Sequence, residues 1–220
     1  MNNSIIQLLV LAGVAIFLIL KLRNVLGTRD GNEQGAVPQA LPDTSRPKRN
    51  FDVIEGGPDR DIIDHVAEGS PAADALLAMK RVEPNLSVSE FLQGARGAYE
   101  MILTAFAKGE IDRIRPFLSS EVAESFESVV ADRKARGLTV ATQVLGIREV
   151  TLQSAEFDRA SSEAEVTVRF VAELISATRD NAGEVIEGDP KHGRKQKDVW
   201  TFARRMGAND PNWQLVATGE

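Results

Sequence analysis

The chain has 220 residues, with 26 Lys and Arg against 32 Asp and Glu, so its formal net charge at pH 7 is −6. This acidic balance argues against nucleic acid as a partner, because neutralising phosphates needs a basic surface. The absence of cysteine excludes disulfides, thiolate catalysis and cysteine zinc sites, and the two isolated histidines do not suggest a metal site. We therefore expect neither a metal nor a cofactor.

The chain begins with an uncharged apolar run, IIQLLVLAGVAIFLIL over residues 5–20, interrupted only by Gln7. A helix rises about 1.5 Å per residue, so this run and the apolar residues just after it approach the roughly 30 Å of a bilayer core. We predict a transmembrane anchor over residues 1–26 that contacts the lipid bilayer. A cleaved signal peptide is the main alternative, but the sequence has no basic n-region and no small-x-small cleavage site.

Lys21, Arg23 and Arg29 follow this apolar run, whereas no basic side chain precedes it. The positive-inside tendency therefore predicts a single-pass protein of the inner (cytoplasmic) membrane with its C-terminal domain in the cytoplasm. A periplasmic C-terminal domain would contradict this orientation.

Residues 27–60 are rich in Gly, Pro, Asp, Asn and Gln and poor in aromatic residues, which predicts a flexible linker. Arg46, Lys48 and Arg49 could contact anionic lipid, at about 1 kcal/mol per base near a membrane surface. We favour a solvated linker, because acidic residues stand on both sides of this basic cluster.

Residues 61–85 form a predicted accessory region with one short amphipathic helix. Ser70 is its expected N-cap and Pro71 its first helical residue, and the helix should run to about Val82. Its apolar residues would either dock on the following domain or contact a membrane or a partner. They are one candidate partner surface: Leu76, Leu77 and Met79.

Residues 86–220 form the predicted main domain, and it opens with helices. Ser87 and Glu90 make a capping box, and Gly109 ends the helix that follows. Three- and four-residue spacing predicts one buried stripe along this helix: Phe91, Ala95, Ala98, Tyr99, Ile102 and Phe106. A helical turn over 111–118 and a further helix capped by Ser119 or Ser120 come next.

Beyond Gly137 the apolar period changes from 3.6 to 2, which predicts strands. Residues 164–174 show it best, with Val166, Val168 and Phe170 on one face and charged residues mainly on the other. Weaker alternation occurs in 144–157, 197–206 and 213–218, and the residues of 183–193 are typical of a turn. This order predicts an α+β domain with helices packed on a four-stranded antiparallel sheet.

Three separated blocks occur in order: FLQGARGAYEMILTAFAKGEIDRIRPFLSSEV, KDVWTFARRM and PNWQLVATG. Together they resemble the Tim44-like domain family, and the anchor, linker and acidic domain are similar to its bacterial TimA-type members. The resemblance implies a curved sheet forming a cone similar to nuclear transport factor two, with an apolar cavity. It also implies an adaptor role at the inner membrane, with a chaperone or translocation component as the protein partner.

Folds of this kind include enzymes that place an Asp/His or Asp/Tyr pair in the cavity. The candidates here are Tyr99, Asp198 and three glutamates at helical spacing, Glu121, Glu124 and Glu127, which most simply form a solvated helix face. For Tyr99 we favour a buried aromatic whose hydroxyl finds a partner. Trp200 and Phe202 share one side of their strand and either line the cavity or fill core, so with Tyr99 they are further candidates for a partner or ligand surface. No phosphate loop, catalytic triad or metal-ligand spacing is present. We expect no catalytic residue and no enzymatic activity.

The sequence thus predicts a membrane-anchored adaptor that binds chaperone or translocation machinery. One alternative is a structural subunit of a secretion complex. The other is a lipid-binding, small-molecule-binding or enzymatic domain that uses the cavity.

Overall fold

The computed structural model describes residues 59–219, so the predicted anchor and most of the predicted linker lie outside the described residues. Within residues 59–219, five α-helices and one 3-10 turn precede the strands. The helices are α1 Arg60–Ile63, α2 Pro71–Val82, α3 Val88–Lys108, α4 Ile111–Ile114 and α5 Ser120–Ala135, with the 3-10 turn at Arg115–Phe117. None of these helices combines the length and apolar character needed to cross a membrane.

Four strands follow: β1 Thr139–Asp158, β2 Glu163–Arg179, β3 Val185–Arg205 and β4 Gln214–Gly219. They form one antiparallel sheet in the order β1-β2-β3-β4, so each strand pairs with its neighbours in the chain. The predicted α+β class and four-stranded antiparallel sheet are confirmed. Three register shifts along β1 mark bulges, which bend a strand and increase its twist.

Helix α3 begins and ends as its sequence predicts. The Ser87 hydroxyl accepts a hydrogen bond from the Glu90 N–H, and Gly109 takes the left-handed conformation at φ 75°. Ala95, Tyr99 and Ile102 are buried on the face that meets the sheet, so the apolar stripe packs as expected. Helix α5 is capped by Ser119, whose hydroxyl accepts from the Val122 N–H.

Helix α2 docks on the domain. Ser70 accepts a hydrogen bond from the Ala73 N–H and Pro71 occupies the first turn. Leu76 and Met79 then point into the same core that α3 and the sheet form. Of the two predicted arrangements, the structure therefore shows the helix docked on the domain.

The two faces of the sheet differ in chemistry. The inner face packs against the helices through Ala164, Val166, Val168, Phe170 and Ala172 of β2 and their cross-strand neighbours. The intervening residues of the same strands point away from the helices and form what we call the outer face. An antiparallel sheet with one core face and one more polar face is common, and it is what the alternation of residues 164–174 predicts.

The predicted turn over residues 183–193 is correct only for Gly183 and Glu184, because residues 185–193 belong to β3. The chain turns at Asp180–Glu184, where the Asp180 carboxylate accepts from the N–H groups of Ala182 and Glu184, and β3 starts at Val185. Gly188 carries a positive φ of 83°, and an added Cβ there would lie 2.2 Å from the Ser176 carbonyl oxygen. The glycine therefore serves close approach of two strands rather than a reversal of the chain.

Candidate functional site

A cleft of about 480 Å³ lies between the first half of α3, the turn before it and the end of β3 with the loop that follows. Its floor is a row of small side chains on α3, Gly94, Ala95 and Ala98. A Cβ added at Gly94 meets nothing within 4 Å, so the glycine leaves open space above the helix. The cleft exists because this face of α3 lacks bulk.

The walls of the cleft are mainly apolar and aromatic. The Phe91 ring meets Trp213 edge to face at 4.8 Å between centroids and Phe202 at 6.0 Å. Leu86 and Met101 complete the apolar lining on either side along α3, and Phe117 contributes from the 3-10 turn. Aromatic walls of this kind supply contact area that does not depend on directional bonds.

One end of the cleft is closed by an ion pair between Glu83 and Arg204. Glu83 also accepts from the Gly207 N–H at 2.7 Å, and Arg204 donates to the Pro211 carbonyl at 3.1 Å. The Arg204 guanidinium lies 5.3 Å from the Trp213 ring centroid, within cation–π range. These contacts join the end of α2 to the loop before β4 and hold Trp213 at the rim.

Beside the cleft, a carboxylate from a distant part of the chain caps the start of α3. Asp61 accepts from the N–H groups of Val88 at 2.7 Å and Ser89 at 3.0 Å. Lys80 donates to both Asp59 and Asp61 at 2.8 Å. Burial opposes ionisation of Asp61, but the lysine and the two N–H groups outweigh it and hold the pKa of that carboxyl well below its usual range.

Tyr99 and Asp198 form a hydrogen-bonded pair beneath the sheet. The phenol donates to the carboxylate at 2.5 Å, and the Gln196 amide donates to the other carboxylate oxygen at 3.0 Å. Burial raises the pKa of Asp198 against the effect of these two bonds, and burial with the nearby carboxylate raises the pKa of Tyr99. Tyr99 stacks on Phe170 with 4.4 Å between ring centroids.

This pair belongs to the core rather than to the cleft. Tyr99 is fully buried, and neither it nor Asp198 is among the residues that line the cleft. The phenol has found a partner, as expected for a buried tyrosine. Within residues 59–219 no group of three or more carboxylate or histidine side chains is arranged to hold a metal ion.

The candidate surface at Leu76, Leu77 and Met79 is corrected by the structure. Leu76 and Met79 are buried at 2% and 0% exposure, because they face the core, and only Leu77 is exposed, at 39%. The three residues therefore do not share an accessible face. Trp200 is buried beside Tyr99 and away from the cleft, whereas Phe202 forms part of the cleft wall.

Sequence reasoning missed Gly94, Glu83, Arg204 and Trp213 as site residues. The Glu83–Arg204 pair spans 121 positions of the chain, so no local pattern indicates it. The sequence did offer a signal for Gly94. A glycine in the middle of a strong helical pattern destabilises the helix by about 1 kcal/mol and often has a packing reason.

A sequence profile of the Tim44-like domain matches residues 72–220, which is more than half of the chain. The chain belongs to the Tim44-like domain family. The Tim44-like region includes helices α3, α4 and α5, the four strands and every residue that lines the cleft.

Curated proteins with similar sequences are named TIM44. The chain is 24% identical over 159 residues to "Mitochondrial import inner membrane translocase subunit TIM44" of Homo sapiens and equally similar to that of Rattus norvegicus. These alignments cover 71% of this chain and 35% of each relative, so the chain spans about a third of the length of those proteins.

Among solved structures, the intermembrane space region of the chloroplast protein ARC6 aligns with 66% of this chain and 95% of its own. The TM-score is 0.38 and the sequence identity 13%, values too low to carry an argument about fold or function.

Proposed function

We propose that this protein is an adaptor of a protein-translocation machinery and that the cleft over α3 binds a segment of its protein partner. The observation that carries the proposal is an apolar, aromatic-walled cleft with a small-residue floor, in a chain that belongs to the Tim44-like domain family. The relatives that match are translocase subunits of an inner membrane. A chaperone or a translocation component is therefore the partner class that we propose.

The cleft has the dimensions and lining of a binding site. Its volume of about 480 Å³ falls within the roughly 300–1,000 Å³ of small-molecule and cofactor sites, which are also concave and mostly apolar. The floor lies on a helix of 21 residues, so the site is supported by a rigid element. A few apolar side chains of a partner would fill it.

We further propose that residues 1–26 anchor the protein in the inner membrane and that the domain lies in the cytoplasm. The apolar run and the cations after it support both parts. A flexible linker of about thirty residues would hold the cleft near membrane-bound partners at an effective concentration of up to about millimolar, so modest affinity would suffice. A C-terminal reporter active only in the periplasm would contradict the orientation and favour a secretion-complex subunit.

The second candidate is a lipid-binding or small-molecule-binding domain, which the same apolar lining favours. We propose no catalytic step, because the Tyr99 and Asp198 pair is fully committed to hydrogen bonds within the core. Loss of a turnover signal on replacing Tyr99 by Phe would contradict that assignment.

Two glycines of α3 give a matched test. Gly94 lines the cleft and Gly97 does not, yet both are exposed helical glycines where an added Cβ meets nothing within 4 Å. Gly94→Leu should fill the cleft, whereas Gly97→Leu should add the same side chain outside it. Both substitutions replace a helical glycine by leucine, so they should stabilise α3 to a similar degree.

The measurement is photo-cross-linking in intact membranes from a reactive amino acid placed at Asn212, on the rim of the cleft. We expect wild type and Gly97→Leu to capture the same chaperone or translocation component, and Gly94→Leu to lose most of the product. Equal capture by all three proteins would refute the cleft as the binding site. Capture of lipid without protein would favour the second candidate.

A further inference from the structure

The outer face of the sheet carries charges of opposite sign at its two ends. At one end Glu156 of β1 lies directly opposite Glu165 of β2, with Glu163 two positions along the same strand. At the other end Lys195 and Lys197 of β3 point to the same face, opposite Glu173 and Val171. The outer face therefore has an acidic end and a basic end.

The acidic end is poorly compensated within the domain. Like charges directly opposite each other on neighbouring strands are destabilising. Burial of Glu165, together with the negative charges of Glu156 and Glu163, raises the pKa of that carboxyl. Arg205 is the base across from Glu163 on β3, and none of these four residues forms an ion pair with another described residue.

The basic end also has charged side chains that form no ion pair within the described residues. Lys195 and Lys197 are exposed, and neither forms an ion pair with any residue of the described range 59–219. The acid across from Lys195, Glu173, is instead paired with Arg148. Two lysines on one strand face are thus available to a carboxylate outside the domain.

Within the described residues, the middle of the outer face carries no unpaired charge. Thr167 and Thr201 are hydrogen-bonded to each other at 3.0 Å, and Thr201 and Ala203 are buried. Arg169 lies two positions after Thr167 on the same face and is ion-paired with Glu149, so its charge is balanced within the domain. From Glu165 to the level of Val171 is six residues, or about 20 Å at roughly 3.4 Å per residue.

We propose that two copies of this chain pair through their outer faces, with the acidic end of each against Lys195 and Lys197 of the other. A two-fold axis near Thr167 and Thr201 exchanges the two ends, so one contact is formed twice. Such self-complementarity is the requirement of an isologous dimer. A partner of uniform charge would be attracted at one end of the face and repelled at the other.

The test reverses each end in a separate variant of the full chain. The first variant carries Lys195→Glu and Lys197→Glu, and the second carries Glu156→Lys and Glu165→Lys. Native mass spectrometry of protein released from detergent reports the oligomeric state. We expect a wild-type dimer and a dissociation constant raised on the order of tenfold or more in each variant alone, because like charges then face each other.

Mixing the two variants distinguishes this interface from general loss of structure. One variant then has two acidic ends and the other two basic ends, so the mixture should form a heterodimer that neither variant forms with itself. Glu100→Lys with Glu124→Lys is the matched control for the second variant, since it raises the net charge by the same amount on exposed helical positions and should leave the dimer intact. A monomeric wild type, dimers that survive in either variant, or a mixture that stays monomeric would each overturn the proposal.

Discussion

The contact that ties the start of the domain to α3 gives the sharpest prediction for stability. Asp61→Ala removes the acceptor for two N–H groups and one of the two carboxylates beside Lys80. We expect a loss of about 3 kcal/mol: about 1 for the Val88 N–H, about 0.5 for the more exposed Ser89 N–H, and about 1.5 for the charged bond to a lysine that is 15% exposed.

Urea unfolding followed by tryptophan fluorescence measures this loss, because both tryptophans of the chain, Trp200 and Trp213, lie in the domain. Asp64→Ala is the control, since Asp64 is exposed and its side chain forms no ion pair with a described residue. A loss below about 1 kcal/mol, or one equal to that of the control, would refute the reasoning.

The contacts of Asp61 also predict how the free energy of unfolding changes with pH under acidic conditions. The pKa of Asp61 is lowered in the folded protein, so the folded state binds fewer protons than the unfolded state as the pH falls. Its contribution is therefore complete above about pH 4, the unfolded pKa of an aspartate, and is lost as the pH falls through the folded pKa. Asp61→Ala should flatten this part of the curve, and an unchanged slope would contradict the assignment.

Three further changes have expected outcomes. Asp198→Asn should keep the bond to Tyr99 through its amide oxygen and donate to Gln196 once the Gln196 amide has turned over. It should raise the melting temperature at pH 7 by roughly 2–4 °C, because the raised pKa of Asp198 makes wild-type stability fall as pH rises through it; a lower melting temperature would count against this. Gly188→Ala should cost more than about 2 kcal/mol in urea unfolding, since its Cβ would strike backbone, whereas Gly183→Ala, at the same φ of 83° in open space, should cost only about 1. Gly97→Ala should stabilise α3 by about 0.5–1 kcal/mol in the same assay, and a destabilised protein would show that the glycine has a packing role.

Local signals in the sequence predicted the helices well. The capping box at Ser87 and Glu90, the left-handed Gly109 and the buried stripe through Tyr99 each depend on residues within a few positions of one another. The alternation of residues 164–174 likewise identified both faces of β2. These features follow from periods of 3.6 and 2, which do not require knowledge of the rest of the fold.

Features that depend on distant parts of the chain were not predictable. Asp61 caps a helix 27 positions away, and Tyr99 meets Asp198 across 99 positions. Both Tyr99 and Asp198 were recognised as residues to weigh for chemistry, but not as partners of each other. The glycines of residues 183–193 led to a predicted start of β3 that was too late. The sequence does not distinguish a glycine needed for a turn from one needed for close contact between strands.

The contacts of Asp59 and Asp61 have a mechanical consequence. Asp59 is paired with Lys80, and Asp61 accepts from the Val88 N–H in the first turn of α3, directly after Ser87 of the cleft lining. A force applied to the chain at Asp59 would therefore act on these contacts beside the cleft. The two aspartates in this way connect a pull on the chain mechanically to the shape of the cleft.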